Sequence, residues 1–431
     1  MSVDGRATPQ ANLCRSPGPA IAWRMVAIRC IETAVPAPVV RQEALRDLFR
    51  AQPAFGRLGQ RLVTAAFDAS AIDTRHTVLE ELAGEGGHGH PAFLEPGAAS
   101  PGTGARNTAY VEHAGPLAIR AARDALASEG AHDIQPRDIT HVVTASCTGF
   151  SAPGVDLALV RALGLSPSTQ RYHLGFLGCY AAFPALRAAQ QFCVADPAAV
   201  VLVVCVELCS LHLHVRDDPD TIVANSVFAD GAAAAIVTAR PAPVGVSTLE
   251  LDAFETTVVT EGEGDMAWSI GDQGFDMVLS SYVPRIVEQN VQGALSPLLA
   301  RDPAFDGREA ASIERWAIHP GGRSILDRVQ SALGLSDEQL VASRAVLREF
   351  GNMSSATVLF VLRRILHAGA ERPERVAALA FGPGLTVESA LMTVQRQPAP
   401  ISHPVSPAIE QTESSPRHPV SRRHPLVHNA S

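Results

Sequence analysis

The sequence contains no lysine: all 35 of its basic residues are arginine. That excludes Schiff-base enzymes, which need an amine nucleophile, and phosphate loops built on a lysine ammonium. Aromatic residues are only 5% and charged residues 18% of the 431, against 46% apolar, so material for a packed core is ample and wholesale disorder is excluded. An excess of positive charge is missing too. With a net charge of −9, no basic face is available to neutralise a row of phosphates, which argues against a nucleic-acid partner. Long apolar runs are also absent. The longest, Ala198 to Val206, is stopped by Glu207 well short of the roughly 18 to 20 residues that cross a bilayer, so it reads as a buried strand and no transmembrane segment is expected.

Cysteines are few and odd in number. Seven of them, without a secretory pattern at the start, are expected to be free thiols of a cytoplasmic protein. Cys205 and Cys209 have no second pair beside them, so no metal site is expected, and Asp217-Asp218-Pro219-Asp220 reads as a solvated turn. Residues 1–24 and 396–431 are rich in Pro, Ser, Arg or His without apolar periodicity. Both are expected to be disordered, with His403, His418, His424 and His428 solvated rather than metal-binding. The stretch from Ala83 to Arg106, dense in Gly and Pro, reads as a long surface loop.

The part between is duplicated. Arg161-Ala-Leu-Gly-Leu-Ser166 is echoed by Ser331-Ala-Leu-Gly-Leu-Ser336, an offset of 331 − 161 = 170 residues. An apolar strand precedes each copy, His141 to Cys147 and Arg315 to His319, and a Gly-opened helix follows each, at Gly178-Cys179 and Gly351-Asn352. Each half continues with a strand, Val200 to Val206 or Val376 to Phe381, and a closing apolar segment, Ala232 to Val237 or Ser389 to Val394. Strands alternating with helices imply mixed sheets covered on both faces. Two such halves, 25–240 and 241–395, sharing a central helical layer give a five-layered αβαβα fold with equivalent landmarks meeting in one pocket.

Cys179 opens a helix whose apolar stripe is Phe183, Leu186, Ala189 and Cys193, and a helix start is one setting that lowers a cysteine pKa. His319 stands at a strand end before Pro320-Gly321-Gly322, a break that turns a side chain toward a cavity. Asn352 follows Gly351 at a helix start, where it also suits an N-cap. Each is ordinary alone; Cys, His and Asn at equivalent positions of a duplicated fold have a joint use in thioester chemistry.

On these residues, with Trp316-Ala-Ile-His319-Pro-Gly-Gly322, Gly351-Asn352-Met-Ser-Ser-Ala356, Phe228-Ala-Asp-Gly231 and Phe381-Gly-Pro-Gly384, the chain resembles a type III polyketide synthase, the chalcone synthase-like branch of the thiolase superfamily. The resemblance implies that Cys179 carries the acyl chain, paired with His319, which keeps the thiolate populated near neutral pH. It implies that His319 and Asn352 form the oxyanion hole and drive malonyl decarboxylation, with Phe228 and Phe275 as gating aromatics. Ser354 and the loop Gly382-Pro383-Gly384 would border the substrate. No cofactor is implied beyond the substrates acyl-CoA and malonyl-CoA, and a homodimer is implied.

Several positions depart from the plant pattern. Ala152 replaces a Met that reaches into the partner subunit, Ala380 replaces the first Gly of the Gly-Phe-Gly-Pro-Gly loop, and the CoA-binding helix aligns poorly, leaving Arg57, Arg61 and Arg75 as candidate phosphate ligands. Cys147 in place of Thr or Ser resembles the bacterial alkylresorcinol and alkylpyrone synthases, whose fatty acyl starters need an apolar tunnel; His212 and Cys209 are expected on the same wall. Two other readings compete. An initiating ketoacyl-acyl carrier protein synthase also uses Cys, His and Asn but resembles His-Gln-Ala-Asn rather than His319-Pro-Gly-Gly, and a non-catalytic acyl-CoA binding protein would not need all three groups.

Overall fold

The computed structural model describes residues 25–83, 100–305 and 308–397. Nearly all of both termini expected to be disordered, the four tail histidines and most of the expected surface loop therefore lie outside the described residues. Thr103 to Arg106 do not belong to that loop; they open a helix.

The first half runs β1 (Ala27–Ala34), β2 (Val39–Arg41), α1 (Gln42–Arg50), α2 (Arg57–Ala69), β3 (Thr74–His76), α3 (Thr103–Ala127), β4 (His141–Ser146), α4 (Val155–Leu163), β5 (Gln170–Gly175), α5 (Ala182–Ala195), β6 (Val200–Leu208), α6 (Pro219–Val227) and β7 (Asp230–Thr238). The second runs β8 (Ser247–Val258), the hairpin β9 (Met266–Gly271) and β10 (Gly274–Leu279), α7 (Val283–Leu299), β11 (Arg315–Ile318), α8 (Arg323–Leu333), α9 (Asp337–Phe350), α10 (Thr357–Ala368), β12 (Glu374–Gly382) and β13 (Thr386–Arg396).

Among the described residues the main sheet has the order β11-β12-β13-β8-β1-β7-β6-β4-β5, and it mirrors itself about the β8–β1 junction. β11 is parallel to β12 as β4 is to β6; β13 is antiparallel to β12 and β8 as β7 is to β6 and β1. The junction spans only Ala27 with Glu250 and Ile28 with Leu249, so two mixed sheets are joined over a short stretch.

Period-two alternation distributes the apolar run of β6 between two cores. Val201, Val203 and Cys205 face the centre of the molecule, packing with Phe183 and Leu186 of α5, Leu359 and Leu362 of α10, and Ala378 and Ala390 of the other sheet. Val200, Leu202, Val204 and Val206 face outward, under Ala118 and Ala122 of α3 and Leu159 of α4. Val291 and Leu295 of α7, with Leu326 and Val329 of α8, cover Leu379 and Leu391 on the far face of the second sheet. The five layers follow: helices, sheet, the α5–α10 layer, sheet, helices.

The five-residue echo has a mechanical cause. Gly164 and Gly334 end α4 and α8 in the left-handed region, at φ 66° and 65°, and Leu165 and Leu335 return N–H bonds at 3.0 Å to Val160 O and Gln330 O. After it the halves differ. The first inserts β5; the second inserts α9 instead. Nor do the glycines open α-helices directly, since the 3-10 turns Gly178–Tyr180 and Ser354–Ala356 precede α5 and α10, and Gly351 closes α9.

Candidate active site

Cys179 sits in the 3-10 turn that links β5 to α5. Gly178 has φ +74°, and a Cβ there would stand 2.4 Å from Pro383 Cδ, so only glycine fits. Its N–H donates to Cys147 Sγ at 3.0 Å, fixing the turn against the exit of β4. The helix dipole of α5 favours negative charge here, but burial acts in the opposite direction and pushes the Cys179 thiol up to about 11, against hydrogen bonds from Ser354 and Asn352. Cys179 is itself only half-buried.

β11 carries His319 just past its end. The His319 N–H donates to Leu379 O of β12 at 2.8 Å, and the Gly321 N–H turns back to His319 O at 2.9 Å. The ring is 2% exposed, and neither ring nitrogen has a hydrogen-bond partner among the described residues. Burial lowers its pKa to about 3, so the imidazole is neutral and one nitrogen carries a proton to donate. An unpartnered buried polar group costs about 1–3 kcal/mol, a cost that a ligand oxygen at the ring would remove.

Asn352 comes from the same half as His319 and is fixed at both ends. Its backbone N–H donates to Val227 O at 2.8 Å and its carbonyl accepts from Ala229 N–H at 2.9 Å, a parallel bridge that ties Asn352 to Phe228. Asn352 Oδ1 accepts from the Ser354 N–H at 2.8 Å, and Nδ2 donates to Gly321 O at 3.3 Å, next to His319. With the oxygen committed, the remaining amide hydrogen is the free donor. Gly351 (φ +71°) permits the approach, because a Cβ would meet Arg75 Cγ and Val227 O at 3.0 Å.

Beneath the turn lies Glu207, fully buried at the end of β6. It accepts from the Cys147 N–H at 2.9 Å, Thr148 Oγ1 at 3.0 Å and the Ser355 hydroxyl, so one carboxyl joins the exit of β4 to the Asn352 loop. Burial raises its pKa from 4.5 to about 7.

A cavity of about 440 Å³ brings Cys179, His319 and Asn352 together with Cys147, Cys209, Phe228, Ser354 and Pro383. Gly382 and Gly384 stand outside its lining; Gly382 instead leaves room for the Tyr180 ring, which would be 2.5 Å from a Cβ. Phe275 is also outside, 2% exposed and stacked on His212 at 4.0 Å, and the cavity wall in front of both is Trp268. His212 does not line it; the ring stands behind Trp268 at 5.6 Å, with its nitrogens engaged by Thr148 O and the Phe275 N–H. The tunnel expected beyond Cys147 is thus closed by an aromatic layer, and Ala152 is exposed and off the cavity.

The expected phosphate ligands separate. Arg75 is 2% exposed and donates to Asn225 O at 2.8 Å and Phe228 O at 2.7 Å, so it supports the Phe228 segment from behind. Arg57 and Arg61 are exposed on α2, outside the cavity lining. Arg285, Arg323 and Arg328 line it instead, and the sequence reasoning missed them together with Trp268 and the strut role of Glu207. The one available signal was position: Arg323 directly follows the His319-Pro-Gly-Gly322 break.

Comparison with known proteins agrees with this geometry. Residues 15–241 match the family described as chalcone and stilbene synthases, N-terminal domain, and residues 250–395 its C-terminal domain. The α-pyrone synthesis polyketide synthase-like Pks18 of Mycobacterium tuberculosis is 33% identical over 392 residues, 88% of this chain and 94% of that protein. The bisdemethoxycurcumin synthase of Oryza sativa subsp. japonica is 36% identical over 70% of this chain and 76% of its own. Among solved structures, PKS-I from the brown alga Ectocarpus siliculosus superposes with a TM-score of 0.78 at 29% identity, covering 86% of this chain and 98% of that one. The chain belongs to the chalcone and stilbene synthase family, and it is a type III polyketide synthase.

Proposed function

We propose that this synthase loads an apolar acyl group from acyl-CoA onto Cys179, extends it with malonyl-CoA and releases it as an alkyl α-pyrone. The observation that carries this reading is the buried, neutral His319 with two unpartnered nitrogens, in one apolar-walled cavity with Cys179 and Asn352. Cys179 Sγ attacks the acyl-CoA carbonyl, its proton passing through His319 to the departing CoA sulfur. Malonyl-CoA then loses CO₂, and the electron pair of the broken C–C bond becomes an enolate whose oxygen accepts hydrogen bonds from His319 and Asn352. The enolate carbon attacks the acyl-Cys179 thioester; a C–C bond forms and the thiolate leaves. In the last step an enol oxygen of the grown chain attacks its own thioester carbonyl, closing a six-membered lactone and releasing the thiol without water. The α-pyrone outcome is supported by the likeness to Pks18.

Arg285, Arg323 and Arg328 are the groups suited to the CoA phosphates, since they border the cavity that reaches Cys179. A homodimer is supported by β5, an edge strand with exposed residues Gln170 to His173 and no partner on its outer side among the described residues. A reducing, cytoplasmic setting is supported by the described cysteines, all of them free thiols. The test is product mass spectrometry after incubation with malonyl-CoA and starters from acetyl-CoA to palmitoyl-CoA. Alkyl α-pyrones are expected; resorcinols as the main product would overturn the lactone step, and products built from malonyl units alone would overturn the apolar starter.

A further inference from the structure

We infer that Arg75, with Gln42 beside it, is a positioning residue for the reaction: it clamps the C-terminal end of α6 and through it fixes Asn352, an inference that rests on Asn352 being a donor to the enolate, as proposed above. The last four carbonyls of a helix have no partner within it and must be satisfied from outside. In α6 each of them is accounted for. Arg75 Nη1 donates to Asn225 O at 2.8 Å and to Phe228 O at 2.7 Å, Gln42 Nε2 donates to Ser226 O at 2.8 Å, and the backbone N–H of Asn352 donates to Val227 O at 2.8 Å. Asn352 is therefore one of three residues that share a single helix end. Where the other two hold that end decides where the Asn352 backbone lies.

The clamp is anchored on its own side. Arg75 lies on β3, paired with Val40 of β2, and Gln42 directly follows β2, its backbone N–H donating to Asp73 O at 2.9 Å. Both side chains are buried, and Gln42 Nε2 also donates to Ser70 Oγ at 2.9 Å. The guanidinium carbon of Arg75 stands 5.5 Å from the centre of the Phe67 ring, and Nε and Nη2 have no hydrogen-bond partner among the described residues, so both of its hydrogen bonds go to the end of α6. Burial pulls its pKa down to about 9, which leaves it charged at neutral pH, and the helix dipole favours a cation at a C-terminus. The same side chain bears on the catalytic loop from its other flank: a Cβ on Gly351 would stand 3.0 Å from Arg75 Cγ and 3.1 Å from Cδ. Arg75 thus lies against the residue before Asn352 and holds the carbonyl of Phe228, which bridges to Asn352. Neither Arg75 nor Gln42 lines the catalytic cavity, so their effect on the reaction passes through the residues they hold.

A catalytic group displaced by about 1 Å can cost about 10²-fold in rate, so a loosened clamp lowers decarboxylation without weakening malonyl-CoA binding. The experiment measures CO₂ release from malonyl-CoA alone, as kcat and KM, in wild type, Arg75→Lys, Asn352→Ala and the double variant, with melting temperature for each. Lysine keeps the charge but lacks the planar fork that is pre-organised for two acceptors. Arg75→Lys is expected to lower kcat at least about tenfold with KM within about threefold. In the Asn352→Ala background the same change should cost less than about twofold, because the group it positions is then gone and the two effects merge instead of adding. Equal losses in both backgrounds would overturn the clamp, since a general structural defect adds to the loss of Asn352; so would a folded Arg75→Lys with the wild-type kcat, or a loss carried by KM. Should Arg75→Lys fail to fold, Gln42→Leu carries the same cycle, with kcat at least about threefold lower expected when Asn352 is present, little further loss when it is Ala, and equal losses overturning. Asn352→Ala decarboxylating at the wild-type rate would refute the donor role and the clamp with it. An impaired Asn352→Ala beside an unimpaired Arg75→Lys would overturn the clamp alone.

Discussion

His319 is buried with neither ring nitrogen partnered among the described residues, and burial pushes its pKa down to about 3, so the ring is neutral. With Asn352 beside it, the site offers hydrogen bonds aimed at a developing oxyanion. Two outcomes follow at this scale. Cys179→Ala should abolish acyl adducts and products while malonyl-CoA decarboxylation continues, because His319 and Asn352 remain; an acyl adduct on the variant by intact-mass spectrometry would move the nucleophile elsewhere. Asn352→Ala should lower decarboxylation about 10²- to 10³-fold, the usual cost of one oxyanion donor, read as CO₂ release from malonyl-CoA alone. A loss below threefold would take Asn352 out of that role. These three residues were legible in the sequence because each sits at a break, a Gly-Cys, a His-Pro-Gly-Gly or a Gly-Asn, recurring in phase across the duplication. Trp268 was not, and His212, expected on the cavity wall, stands behind it. Their placement depends on how a short hairpin folds over the cavity, a contact between segments more than fifty residues apart that no local pattern encodes.

At the scale of elements, Glu207 acts as a strut between the two halves, joining the end of β6 to the exit of β4 and to the Asn352 loop. Its folded-state pKa of about 7 lies above the unfolded value near 4.5, so the folded protein binds the extra proton. The associated stability is present below pH 4.5 and is lost as pH rises through 7, about 3 kcal/mol for a shift of this size. Glu207→Gln keeps the shape without the titration, so its melting temperature should fall less than that of wild type between pH 5 and pH 8. Parallel curves would remove Glu207 as the source. The strands themselves were readable from the sequence because nearly continuous apolar runs such as Val200 to Leu208 are buried on both faces. The replacement of β5 by α9 in the second half was not, since the repeated Gly cap fixes only where a helix ends and leaves the next element open. Arg75 was misread for a similar reason: a guanidinium beside a helix gives no sequence sign that it will be buried against backbone carbonyls of Asn225 and Phe228.

Across the whole molecule the net charge of −9 opposes an anionic substrate such as acyl-CoA, so attraction must be local. Arg285, Arg323 and Arg328 supply it at the cavity. Arg323 and Arg328 are already engaged, with Asp327 at 3.3 Å and Glu288 at 2.7 Å, which holds them in place but shares their charge, and both are about half exposed. Arg285 lies over the Tyr282 ring at 5.7 Å and has no ion-pair partner among the described residues, so its charge is the least compensated of the three. Contacts of this kind are screened over roughly 10 Å at 0.1 M salt. The KM for acyl-CoA should therefore rise with ionic strength, while the KM for the matching N-acetylcysteamine thioester, which lacks every phosphate, should stay level. Arg285→Ala and Arg323→Ala should each raise the acyl-CoA KM about tenfold, flatten its salt dependence, and leave the short thioester within about twofold, since one charge-assisted contact corresponds to roughly that factor. An equal rise for both thioesters would mean that these arginines shape the cavity wall and that the phosphates are held elsewhere, with Arg57 and Arg61 on α2 as the next candidates.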